Sequence, residues 1–323
     1  MEERMLGSLW PVSALTLGGG GLGGVWGSTS REEAVATVRD AVEAGLTLID
    51  VAPGYGDGEA EEIVGAAFAG ALPDGLRLCT KHHVGQADPS EVGPGAKRGL
   101  EESLGRLQVE YVDLFILHSQ ILPSPDPDRG SWTTTLQVFE EAARPAFQTL
   151  VDEGRVGAWG ITAVQHGDVL ERVMTTDPAP AVAQMVANVI DAPGDMEWDG
   201  GSAPPRDLIA RAHELGIGVM GIRAVQAGAL TDRVDRDLGV DHPVARDYER
   251  AAPFRELAAE LGESPAALAH RYALSMEGVD TVVLGVKNRA ELHECLRAAE
   301  AGPLSDEVRS LVDEWVAPLR SRW

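Results

Sequence analysis

Short apolar runs alternate with amphipathic stretches along nearly the whole chain. Runs such as "ALTLGG", "LTLIDVA", "LRLCTKHH" and "YVDLFILHS" read as strands, as do "VGAWGITA", "AVAQMVANV", "IGVMGIRAV" and "DTVVLGV". Between them, "STSREEAVATVRDAVEAG", "GEAEEIVGAAFAG", "GAKRGLEESLGRLQ" and "LQVFEEAARPAFQTLVDEG" carry helical spacing. So do "GDVLERVMT", "RDLIARAHELG", "PFRELAAELG", "SPAALAHRYALS" and "RAELHECLRAAEAG", with a terminal helix from about Ser305. Residues 119–134 and 225–252 read as longer irregular segments, the second rich in Asp and Arg. Eight strand–helix units imply a parallel sheet, and their number over 323 residues predicts a closed (β/α)8 TIM barrel with an extra C-terminal helix. An open doubly wound sheet is the alternative. No linker or low-complexity run divides the chain, so one domain over residues 1–323 is expected.

The stretch "LTLGGGGLGGVWG" complicates this picture. Gly18, Gly20 and Gly23 spell G-x-G-x-x-G, the dinucleotide fingerprint. In that motif the third glycine opens the helix that meets the phosphates. Here "VWGSTS" intervenes, and the helix signal begins only at Ser28–Ser30. Asp50 also lies farther along than the fingerprint's acid, about 20 residues on. A glycine-rich turn that lets backbone approach a ligand fits better.

Composition narrows the function. With 44% hydrophobic residues the chain can bury a full core, and no run is long and apolar enough to span a membrane. A net charge of −24 repels nucleic acid. Two cysteines and no secretory leader point to a cytoplasmic protein, and no paired-cysteine metal spacing is present. Lys81, Lys97 and Lys287 are the only lysines, against abundant arginine. A lysine kept inside a strand is then notable, because an amine titrates where a guanidinium does not.

In a (β/α)8 barrel the reactive groups gather at the carboxyl ends of the strands. Read in order, those ends carry Asp50, then Tyr55 in the following loop, Lys81 in "CTKHH", and His118 in "LFILHS". Singly, each has a plainer role as a cap, a surface tyrosine, a strand end or a core histidine. Together they suit one task. An ammonium favours phenolate, a carboxylate keeps a buried ammonium charged, and an imidazole can orient a carbonyl. Tyr55 then donates a proton to an oxygen that gains negative charge during hydride transfer, and acts as base in reverse. A metal site built from His82 or His83 with His118 and Asp50 is disfavoured. Adjacent strand residues face opposite ways, and Lys81 takes the inward position.

These stretches identify a resemblance. "IDVAPGYGDGEAE", "TKHH", "GLEESLGRLQVEYVDLFILH", "GRVGAWGIT" and "VVLGVKNRAEL" resemble the aldo/keto reductases, over residues from about 12 to 300. The resemblance implies a (β/α)8 barrel that reduces aldehydes or ketones with a nicotinamide cofactor, NADPH ahead of NADH. It implies Tyr55 as proton donor, Asp50 and Lys81 as its tuning groups, and His118 as the residue orienting the carbonyl. It places Gly19 near the nicotinamide, with Thr162 and Gln184 at its carboxamide and Ile222 stacked on its ring. Ala163 stands where the family commonly has a hydrogen-bonding side chain. Gly228, Ala229 and Leu230 then meet the pyrophosphate. Gly285 is a further cofactor contact, and Lys287, Asn288 and Glu291 meet the adenosine ribose, where Lys287 favours a 2′-phosphate and Glu291 repels one. Trp26, Trp132 and Trp198 are candidate walls of the substrate pocket. An NAD-linked aldose dehydrogenase and a cofactor-binding regulatory subunit are the alternatives the family offers. The expected partner is a small carbonyl compound or sugar, with no nucleic acid, membrane or metal; nothing indicates the oligomeric state.

Overall fold

The computed structural model describes residues 1–164, 166–196, 203–239 and 241–320. Eight parallel strands close into a barrel. They are β1 (Leu15–Gly18), β2 (Leu48–Asp50), β3 (Arg77–His82), β4 (Val112–Leu117), β5 (Val156–Thr162), β6 (Val182–Val186), β7 (Gly218–Ile222) and β8 (Thr281–Leu284). Each pairs with its neighbours in chain order, and β8 pairs with β1. The open-sheet alternative is thereby excluded.

The helices pack outside. They are α1 (Arg31–Glu43), α2 (Glu59–Phe68), α3 (Pro89–Leu107), α4 (Arg144–Asp152), α5 (Gly167–Thr175) and α6 (Pro205–Glu214). After β7 come α7 (Pro243–Arg250), α8 (Ala252–Leu261) and α9 (Pro265–Leu274), then α10 (Arg289–Glu300) and the terminal α11 (Asp306–Arg320). Local chemistry starts them where the sequence suggests. The Ser30 side chain accepts from Glu33 N–H at the head of α1, and Asn288 does the same for Glu291 at the head of α10. Most of the apolar core lies between strands and helices. A second cluster, including Leu48, Cys79, Leu114, Ile116, Ala158, Val182 and Met220, fills the barrel interior.

Three features differ from the sequence reading. The charged segment 225–252 contains α7. Residues 119–134 contribute to a small parallel pair, Gln120–Leu122 with Thr133–Thr135. Ahead of β1, Glu3–Met5 and Pro11–Ser13 form an antiparallel hairpin. Gly7 and Ser8 in its connection hydrogen-bond Asp280 and Gly216, at the amino ends of β8 and β7, so the hairpin covers the far end of the barrel. Leu6 and Val12, both wholly buried, join the interior cluster from below.

Period-two alternation leaves the reactive side chains at the opposite mouth. Asp50 is in register with Cys79, and Lys81 stands two residues further on the same face of β3. The glycine stretch is the end of β1 followed by one helical turn, Gly19–Leu22. A Cβ at Gly21 would stand 2.1 Å from the Val286 carbonyl, and one at Gly23 would stand 2.5 Å from the Tyr55 carbonyl. The glycines therefore serve close packing of β1 against the loop after β8 and against the loop that carries Tyr55.

Candidate active site

Lys81 is wholly buried, and each of its three donors has an acceptor. Its Nζ lies 2.9 Å from Asp50 Oδ2, 2.9 Å from the Val51 carbonyl and 3.3 Å from the Tyr55 hydroxyl oxygen. The other Asp50 oxygen accepts from Gln184 Nε2 at 2.9 Å. A continuous chain therefore runs from Gln184 through Asp50 and Lys81 to Tyr55. Because Lys81 donates to the phenol oxygen, the Tyr55 O–H is left to donate elsewhere. Lys81 Nζ also stands 4.7 Å from the centre of the Tyr55 ring, on its negative face.

Electrostatics follow from burial and this pairing. Burial alone would pull Lys81 down, but Asp50 overcomes it and holds the ammonium above its ordinary value. Burial raises the Tyr55 phenol, and the Lys81 charge offsets only part of the rise. Burial thus outweighs the ammonium's preference for phenolate, and the resting hydroxyl keeps its proton throughout the neutral range. His118 is held well below its ordinary value, first by burial and then by the charges of Lys81 and His83, so its ring is neutral. Cys79, beneath this network, is raised well above a normal thiol by burial and by Asp50, and stays protonated.

The two histidines after Lys81 separate as the strand alternation requires. His82 packs outward against Phe115, and burial lowers it to about 4. His83 turns to the mouth and stacks on His118 with centroids 4.5 Å apart, while Trp132 meets it edge-on at 4.7 Å. His118 meets Tyr55 edge-on at 5.7 Å. Among the described residues no group of three His, Cys, Asp or Glu side chains has metal-holding geometry.

A cleft of about 780 Å³ opens above this network. Tyr55, Asp50, His118, Gly19, Thr162, Gln184, Ile222, Trp26 and Trp132 are among its lining residues, as are Gly228, Gly285, Lys287 and Glu291. Asn288, Ala229 and Leu230 do not line it. Asn288 caps α10, and the other two are fully buried. Ala163 is buried beside Thr162, and Trp198 lies outside the described residues. Lys287 is not free to meet a ligand anion. Its Nζ is 2.5 Å from Asp235 Oδ2 and 2.7 Å from Glu291 Oε1.

The cleft fits an elongated dinucleotide on its own features. Thr162 Oγ1 is buried in the wall with no hydrogen-bond partner among the described residues. Gly20 and Gly285 keep room beside Trp26, since Cβ atoms there would stand 2.8 and 3.2 Å from its indole nitrogen. Arg223, Arg233 and Arg236 also line the cleft; Arg223 is paired with Asp195, and Arg233 and Arg236 are cations suited to a diphosphate. The sequence reading missed these arginines, and it weighed His83 only as a metal ligand. The Arg- and Asp-rich composition of residues 225–252 and the strand-end position of Arg223 were the available signals.

A hydride-transfer oxidoreductase built on a (β/α)8 barrel is the class this fold and mouth define. A sequence model of the aldo/keto reductase family matches residues 14–317, and the chain belongs to that family. It is 26% identical to the L-galactose dehydrogenase of Arabidopsis thaliana, over 99% of this chain and 96% of that protein. The methylglyoxal reductase YeaE of Escherichia coli (strain K12) is 32% identical over 53% of each chain. The holo form of the aldo-keto reductase AKR11C1 from Bacillus halodurans superposes with a TM-score of 0.74 at 24% identity, over 98% of this chain and 96% of that one. Members of the family use nicotinamide cofactors, and the chain is an NAD(P)H-dependent oxidoreductase of this kind. Among the described residues no helix is long and apolar enough to cross a membrane.

Proposed function

We propose that the chain interconverts small aldehydes or ketones and their alcohols, with Tyr55 as the proton-transferring acid. One observation carries this reading: Lys81 spends its third donor on the Tyr55 oxygen, 3.3 Å away, so the phenol proton is directed into the cleft. A reduced nicotinamide bound in the cleft supplies the hydride. Thr162, Gln184 and Ile222 would hold its ring, and Arg233 and Arg236 its diphosphate. As the carbonyl carbon gains hydride, its oxygen takes the Tyr55 proton, and the phenolate left behind is stabilised by the Lys81 ammonium. His118, neutral and beside Tyr55, supplies a hydrogen-bond donor that directs the carbonyl without adding a second cation. Trp132, 56% exposed, and the stacked His83 form the outer wall of the substrate position.

The same residues run the reaction backwards, with Tyr55 as base. Relatives named for oxidising L-galactose and for reducing methylglyoxal support a small, polar carbonyl or sugar as the substrate class. Tyr55→Phe removes the proton and little volume. It is expected to lower turnover by a factor of about 10² to 10⁴ with aldehyde substrates, while calorimetric cofactor binding persists. Wild-type turnover in this variant would eliminate the mechanism.

A further inference from the structure

The cleft has two ends of opposite character. This inference rests on the proposed function, because hydride transfer beside Tyr55 puts the nicotinamide at that end and sends the adenosine along the cleft to Lys287 and Glu291. We infer that this end selects NAD(H) against NADP(H), and that Asp235 and Glu291 are the residues that do so. The two cofactors differ there by a 2′-hydroxyl against a 2′-phosphate, a dianionic group of about −1.5 to −2 charges. Recognition of that phosphate needs a cation with donors to spare.

The cations at the head of α10 are already committed. Lys287 lies between Asp235 and Glu291 at 2.5 and 2.7 Å. Arg289 gives its Nη2 to Glu33 at 2.9 Å and its Nε to the same carboxylate at 3.2 Å. Glu291 is fixed, since it also accepts from the Lys287 amide at 2.9 Å and from Asn288 Nδ2 at 3.3 Å. Glu294, accepting from Ser264, adds a further carboxylate to the same wall. At the head of α10 Lys287 thus faces three carboxylates, while Arg233 and Arg236 line the cleft on the loop that carries Asp235. A 2′-phosphate beside Lys287 must meet Asp235 and Glu291 or pull Lys287 from them. A ribose hydroxyl faces no such repulsion and can donate to a carboxylate.

Calorimetric titration of the full chain with NADH and with NADPH at low salt tests this. NADH is expected to bind at least tenfold more tightly. Glu291→Gln and Asp235→Asn each remove one negative charge from beside Lys287, and each is expected to narrow that ratio at least threefold. Asp235 lies in an exposed loop outside any helix or strand, so its variant keeps the test valid if Glu291→Gln disturbs α10. Equal or tighter binding of NADPH by the wild-type chain overturns the inference alone, as does an unchanged ratio in both variants. Binding of neither dinucleotide overturns the proposed function along with it.

Discussion

Lys81 lies buried beneath the cleft at Tyr55 and Lys287 lines it, and both are held by carboxylates. Lys81 is wholly buried, and its partner Asp50 is 3% exposed. Lys287 is 13% exposed, and its partners Asp235 and Glu291 are 38% and 36% exposed. The difference decides what each pair can do. Asp50 has little access to water if its ammonium is lost, so the Lys81 charge is strongly held and its field on Tyr55 is weakly screened. Asp235 and Glu291 can rehydrate, so the Lys287 clasp contributes little to folding and acts as a filter on what enters. Similar ion pairs thus become a fixed part of the reaction centre at one end and a selective surface at the other.

The sharpest way to break this contrast is to remove each lysine. Lys81→Met strands a buried carboxylate, and chemical denaturation should show a loss of about 3–5 kcal/mol. A loss below about 1 kcal/mol would mean that burial does not separate the two pairs. Acid probes the buried outer face of β3 next. Burial lowers His82 to about 4, so this group contributes stability that is present above its unfolded value near 6.5 and is lost as pH falls toward 4. That loss amounts to about 3 kcal/mol at pH 4. Urea unfolding of His82→Gln, measured at both ends of that interval, should show an acid loss smaller by this amount; identical losses would contradict the assignment. The smallest effect belongs to Lys287→Met. Its exposed partners regain water, and the expected cost in the same denaturation assay is about 1 kcal/mol or less.

Much of the barrel was legible because strand alternation and helical spacing are local properties. Asp50, Lys81 and His118 could be placed on one mouth because each ends an apolar run, and the barrel architecture supplies their convergence. Tyr55 followed from its position in the loop after β2. Other parts depend on contacts that leave no local pattern. The Asp235–Lys287 pair joins residues 52 positions apart, across two loops. The helix α7, "PVARDYER", is so polar that its helical spacing is hidden among charges. The strands of the amino-terminal hairpin have three residues each, too few for alternation to register. The net direction of the Tyr55 shift is not legible in the sequence, because neighbouring charges can be read from residue types, whereas burial belongs to the folded chain.

Gly23 bears no reactive atom, yet a methyl group there would press on the Tyr55 carbonyl at 2.5 Å and displace the loop that aims the phenol. In a saturation mutagenesis screen scored by turnover, position 23 would therefore rank beside the chemical residues. A directed-evolution campaign that seeks new substrates does better to leave it untouched and vary the rim around Trp132.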